Sequence, residues 1–229
     1  MPDIPRHDGV PPTRGSTAGA RRTASDVAFT PAVKAIQEQR GSRAGYRRME
    51  EGGGWQTTVT PDLAAFIAAQ TSIFMATANG EGQPYIQHRG GPAGFLKVLD
   101  ERTLGFADLR GNRQYITLGN LQDNGRAFLF LIDYTHRRRI KLWGTAEMVD
   151  NDPALIERLL PPADATGRRP AADQAILFRI EAWDVNCPQH IPQKFDAADV
   201  GAAVARLNDR IAVLEAENAT LKSRIGESE

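Results

Sequence analysis

The sequence predicts a mainly β protein, a β-barrel with peripheral helices, and three observations carry that reading. Between Ser72 and Val149 the runs SIFMATA, PYIQHR, GFLKVLD, TLGFADL, RAFLFLIDY and RIKLWGTAEMV are rich in β-branched and aromatic residues, and AILFRIEAWDV follows later. Turn chemistry separates them, as at Asn79-Gly80-Glu81-Gly82 and Asp123-Asn124-Gly125. Helical patterns fall at the ends and in two interruptions rather than after every strand, so antiparallel closure is expected and a βαβ sheet is not.

Residues 1–30 are rich in Pro, Gly, Ser, Thr and Arg and almost empty of large apolar groups. Such a segment cannot bury enough surface to offset its ordering entropy, and a flexible N-terminal tail is expected. From Pro31 to about Glu51 a helical stretch carries Gly41 and Gly45, which are expected to break it. Its Val33, Ile36 and Tyr46 are expected to dock on the barrel. Thr60-Pro61 supplies an N-cap and a first-position proline, with Leu63, Phe66 and Ile67 on one face to cover a barrel end. Within the strands one helix is expected from Gln114 to about Leu121 and another from Asp152-Pro153 through ALIERLL. The chain thus reads as a tail (1–30), a barrel domain with N-terminal helices (31–195) and a C-terminal coiled-coil helix (196–229).

That last helix has its own pattern. Val204, Leu207, Ile211, Leu214, Leu221 and Ile225 alternate spacings of three and four, with Asn218 in the remaining place. A homodimer joined by a parallel C-terminal coiled coil is expected, the alternative being one amphipathic helix folded back on the barrel.

With 229 residues the chain can bury a sizeable core, and its 28 basic residues equal its 28 acidic ones, so no global field recruits nucleic acid or an anionic membrane. The cluster His136, Arg137, Arg138, Arg139 and Lys141 sits at a turn between apolar strands, which suits a solvated turn or a cofactor contact better than RNA. Cys187 is the single cysteine, so an intrachain disulfide is excluded and a reducing cytoplasm fits. No apolar run approaches the ~20 residues of a membrane span.

The chemistry concentrates between Pro84 and Gln114. Gly90, Gly91 and Gly94 allow close backbone approach, and His88, Arg89, Lys97, Arg110 and Arg113 surround them with donors and positive charge. If Asn112 caps the following helix, its N-terminus points to the same place and a phosphate suits it. Glycine-rich turns also occur in proteins that bind nothing, and that alternative stands at this point. Residues 182–195, AWDVNCPQHIPQKF, leave several readings open: a Cys187-His190 nucleophile pair without a third orienting member, a metal site with too few ligands, a loop that sets Trp183, Asn186, Gln189 or His190 against a cofactor, or a purely structural loop.

The runs GFLKVLDERTLGFADLRGNRQ and RAFLFLIDYTHRRRIKLWGTAEMV resemble the FMN-binding split β-barrel of the pyridoxamine 5'-phosphate oxidase family over roughly residues 60–150. The family's Lys-ended strand, acidic turn, strand end, phosphate turn and later Gly-x-Ala-Glu strand fall on Lys97, Asp100 and Glu101, Phe106 to Leu109, Asn112 to Gln114, and Arg139 to Glu147. Two positions depart: the phosphate-turn lysine is Gln114, and the glutamine expected near the flavin ring is Arg139. The Trp- and Arg-bearing terminal strand of the parent oxidases is replaced here by the Asn-Cys-Pro-Gln-His segment, so their substrate does not carry over.

The resemblance implies an FMN-dependent oxidoreductase acting on a small organic molecule, as a homodimer with shared flavin sites and no nucleic-acid or membrane partner. Its implied cofactor-binding set is His88, Arg89, Lys97, Phe106, Ala107, Asp108, Asn112, Arg113, Gln114, Arg139, Lys141, Trp183, Asn186 and Gln189. Asn112 and Arg113 would take the phosphate, the backbone of Ala107 and Asp108 the isoalloxazine ring, and Arg139 its electron-poor end. No catalytic acid or base and no metal are implied. A flavin-binding module without turnover, and a split-barrel reductase using the deazaflavin F420, are the alternatives.

Overall fold

The computed structural model describes residues 22–163 and 166–226, so most of the expected N-terminal tail lies outside the described residues. They form two compact units, one ending at Gly54 and one beginning at Trp55.

In the first unit a 3-10 turn (Ala24–Val27) precedes helices α1 (Pro31–Gln39) and α2 (Arg43–Glu51). Thr30 Oγ1 caps α1 by accepting from Val33 N at 3.3 Å. The chain turns at Gly41, whose φ of 78° favours glycine. Gly45, expected to be a second break, lies inside α2, because one glycine weakens a helix by only about 1 kcal/mol. Within this unit Ile36 is 58% exposed, and Tyr46 meets Phe29 edge-on at 5.0 Å. The interior of this unit is polar. Arg43, buried, pairs with Glu50 and donates to Gln37 Oε1 at 2.9 Å, while Ser25 Oγ donates to Glu50 Oε1 at 3.0 Å. Burial of both charges is tolerated because every one of these groups finds a partner.

The second unit is built on seven antiparallel strands, β1 (Ser72–Ala78), β2 (Pro84–Gly90), β3 (Lys97–Val98), β4 (Thr103–Leu109), β5 (Arg126–Asp133), β6 (Arg138–Val149) and β7 (Ala172–Asn186), in the order β2-β1-β5-β6-β7-β4-β3. Alternation along β1 and β5 sends Ile73, Met75, Leu129 and Leu131 inward, where they meet Leu104, Phe106, Ile140, Leu142, Ile176 and Phe178. Helix α3 (Pro61–Ala68), capped by Thr60, lays Leu63, Phe66 and Ile67 into the same core, as the sequence predicts. Helix α5 (Pro153–Leu159), capped by Asp152, packs Ile156 and Leu159 against Ala107 and Ala175 from the other face. Gly144 is required where β6 shifts register against β7: a Cβ there would lie 2.0 Å from the Arg179 carbonyl oxygen.

The expected strand GFLKVLD shrinks to Lys97–Val98. Phe95 N bonds Pro92 O at 3.0 Å in a turn through Gly94, and Phe95 and Leu96 bury their side chains from this irregular backbone. Helix α4 (Ile116–Asp123) starts later than the expected Gln114. After β7 a non-helical segment leads to α6 (Ala197–Gly226), one continuous helix. No helix among the described residues is long and apolar enough to cross a membrane.

Candidate functional site

A cavity of about 480 Å³ opens where the ends of β2, β4 and β7 meet the start of α4. Period-two alternation puts Tyr85, Gln87 and Arg89 of β2 on its wall together. Asp108 and Leu109 arrive from the end of β4, Asp173 and Gln174 from the start of β7, and Asp150 from the end of β6. The loop Arg110 to Tyr115 and the first turn of α4, Ile116 to Leu118, complete it.

Arg89 forms an ion pair with Asp108, with both side chains largely buried. Asp108 Oδ2 also accepts from Gln174 Nε2 at 2.8 Å, which the β4–β7 register makes possible by setting Asp108 opposite Gln174. Arg89 Nε remains buried without a hydrogen-bond partner, a donor left for something else at this wall. Arg110 clamps Asp173 through two donors, Nε at 2.9 Å being one. Hydrogen bonding and charge from Asp173 raise Arg110 above its ordinary value, and Arg110 in turn holds Asp173 below its own, with Arg113 adding to the field.

The loop between them carries unusual backbone. Arg113 and Tyr115 have φ of 60° and 55°, the left-handed region that non-glycine residues adopt at a cost of about 1 kcal/mol or more. Asn112 does not cap the helix as expected. Its Oδ1 accepts from Gln114 N at 3.3 Å, and this local turn competes with helix formation. Tyr115 takes the N-cap place and offers no side-chain cap, so the first-turn N–H groups of α4 point toward the cavity without an intrahelical acceptor.

The structure therefore brings Arg89, Asp108, Asn112, Arg113 and Gln114 of the expected set to one cavity and places the others elsewhere. His88 lies on the opposite face of β2 and bonds Ser72 Oγ at 2.8 Å. Lys97 pairs on β3 opposite Gly105, away from the cavity wall. The side chains of Phe106 and Ala107 are buried in the two apolar clusters, which leaves only their backbone for a ligand. That edge is open, because β3 pairs no further than Gly105 and β4 beyond it has a strand on one side alone.

Arg139 and Asn186 are backbone partners at the start of β6, where β6 pairs with the end of β7. Arg139 is not among the residues that line the cavity. Lys141 lies on the outer barrel face, over Trp143 at 5.2 Å and 3.6 Å from Asp184, whose carboxyl burial pushes up despite the lysine. Trp183 is a core residue whose indole donates to Thr58 O at 2.9 Å. Gln189 is exposed in the segment after β7. There Cys187 and His190 are also exposed, and no orienting third group joins them among the described contacts.

Tyr85, Gln87, Asp150, Asp173, Gln174 and Tyr115 were not expected. Tyr85 and Gln87 share the alternation of Arg89 and were open to detection from it. Asp150, Asp173 and Gln174 depend on strand register across more than forty residues, for which the local pattern holds no signal.

The family model described as pyridoxamine 5'-phosphate oxidase matches residues 59–187, more than half of the chain. Among solved structures, HupZ of Group A Streptococcus is 19% identical over 60% of this chain and 99% of that chain, with a TM-score of 0.44. A putative pyridoxamine 5'-phosphate oxidase from Lactobacillus delbrueckii is 17% identical over 56% of this chain and 95% of that one (TM-score 0.41). An FMN-binding protein from Syntrophomonas wolfei is 12% identical over 68% and 97%, respectively (TM-score 0.43). No curated protein matches.

Proposed function

The chain belongs to the pyridoxamine 5'-phosphate oxidase family, and from that premise we propose that its cavity binds FMN and that the protein is an FMN-dependent oxidoreductase of a small organic molecule. The observation that carries the proposal is the convergence of Arg89, Arg110, Arg113 and the uncapped start of α4 on one cavity of about 480 Å³. Anions are stabilised where backbone N–H groups and guanidinium forks meet, and the volume is that of a cofactor pocket. The residues present fit the group: Arg89 Nε is a buried donor without a partner, and Arg113 adds charge beside the helix start.

In this reading Arg113 and the first-turn amides of α4 bind the phosphate. The open backbone edge of Ala107 and Asp108 orients the ring, and the apolar side chains of Leu109 and Ile116 exclude water from it. FMN, when bound, supplies the hydride or electron transfer. Asp108 and Gln174 hold the Arg89 guanidinium in place rather than moving protons.

The functional molecule in this proposal is a homodimer with shared flavin sites. Arg139 and Gln189 do not line the cavity of their own chain, and in this reading a partner copy delivers them to the site. There the Arg139 charge would favour the reduced, anionic ring. Reduction of the FMN-loaded protein by NADH or NADPH in the presence of an acceptor tests the activity: turnover is expected, and FMN binding without turnover would make the protein a flavin-binding module instead.

A further inference from the structure

Helix α6 is 30 residues long, about 45 Å at 1.5 Å per residue, and its apolar stripe is uncovered. Leu207 is 64% exposed, Ile211 51%, Leu221 52% and Ile225 67%, so the barrel of the same chain does not bury this face, and the folded-back reading of the pattern fails. A continuous apolar stripe of this length left in water marks an interaction surface.

We propose that the occupant is a second copy of this chain, docked in parallel and in register as a two-stranded coiled coil. This inference stands apart from the flavin reading. Val204, Ile211, Asn218 and Ile225 take the a positions and Leu207, Leu214 and Leu221 the d positions, extended backward by Val200 at d. β-branched residues at a with leucine at d favour two parallel strands.

Asn218 fixes orientation and register. In a parallel pair its amide meets the same amide across the seam, so a polar group at the buried seam finds a partner. The flanking charges agree with this arrangement: Arg210 at g faces Glu215 at e of the other copy, and Glu217 faces Lys222. The antiparallel register that keeps the two stripes together would set Asn218 against Leu214, and Glu215 and Glu217 each against its own copy. It leaves an amide unmatched and opposes like charges.

Cysteine cross-linking in the full chain tests the proposal, with Cys187→Ser to remove the native thiol. Leu221→Cys is expected to form a covalent dimer roughly a hundredfold faster than Ala216→Cys, because d positions face each other within disulfide reach while Ala216 lies on the outer face. Equal rates for the two variants would overturn the proposal. So would preferential linkage between Leu221→Cys and Ile211→Cys chains in a mixture, the signature of an antiparallel pair. All three helix substitutions lie on an exposed surface, so failure to fold does not confound the outcome.

Discussion

Arg89 on β2 and Asp108 on β4 form an ion pair between the first strand of the sheet order and the one next to its other end. The pair fastens the seam where the sheet curls on itself, and it shapes the cavity wall at the same place. Asp108→Asn keeps an amide oxygen for the Gln174 contact but removes the negative charge that pairs with Arg89. The expected loss is on the order of 1 to 3 kcal/mol of barrel stability, the scale of a charge-assisted hydrogen bond with a largely buried partner. Urea unfolding of the ligand-depleted protein measures it, and a wild-type midpoint would show that the seam is held by packing alone.

The β architecture was legible because its strands are β-branched, its turns carry glycine and asparagine, and its helix starts at Thr60 and Asp152 follow local capping chemistry. The site was legible in part. Arg89 and Arg113 announced themselves as charge beside glycine-rich turns, whereas Asp173 and Gln174 entered through the pairing of β4 with β7, a long-range event that no local pattern encodes. The start of α4 was misplaced because Asn112 has two competing uses for its side chain, and the turn to Gln114 wins over the helix cap.

Arg113→Ala is expected to weaken FMN binding by about 1.5 to 3 kcal/mol, roughly tenfold to a hundredfold in dissociation constant. Cys187→Ser is expected to leave both FMN affinity and flavin reduction intact, because Cys187 is exposed and outside the cavity lining. Fluorescence titration with FMN checks both variants. Wild-type affinity in Arg113→Ala, or loss of turnover in Cys187→Ser, would overturn these assignments.

The N-terminal unit should be acid-sensitive. Burial pushes the Glu50 carboxyl up, but hydrogen bonds from Arg43 and Ser25 and the Arg43 charge outweigh it and hold the group below its ordinary value of 4.5. A carboxylate depressed in the folded state contributes stability that is present above the unfolded value and lost as pH falls through the folded one. Stability of the unit is therefore expected to drop as pH is lowered below about 4.5, and Glu50→Gln should flatten that dependence while lowering stability near neutrality. Hydrogen exchange of the α1 and α2 amides across this range gives the answer. An unchanged pH slope in the variant would remove Glu50 from the explanation.

The barrels are expected to dimerise without α6. A chain ending at Asp199 should still sediment as a dimer, because the proposed shared sites need the Arg139 end of one copy at the cavity of the other. A monomer would mean that the coiled coil, not the barrel interface, holds the pair together.

The most direct test of the account is the identity of the ligand that the cavity holds. The purified protein, denatured and examined by mass spectrometry, is expected to release FMN, and the emptied protein to rebind it with one FMN per chain. Release of FAD, F420 or haem, or an emptied protein with no affinity for FMN, would contradict the assignment of the cavity between β2, β4 and α4 as a flavin mononucleotide site.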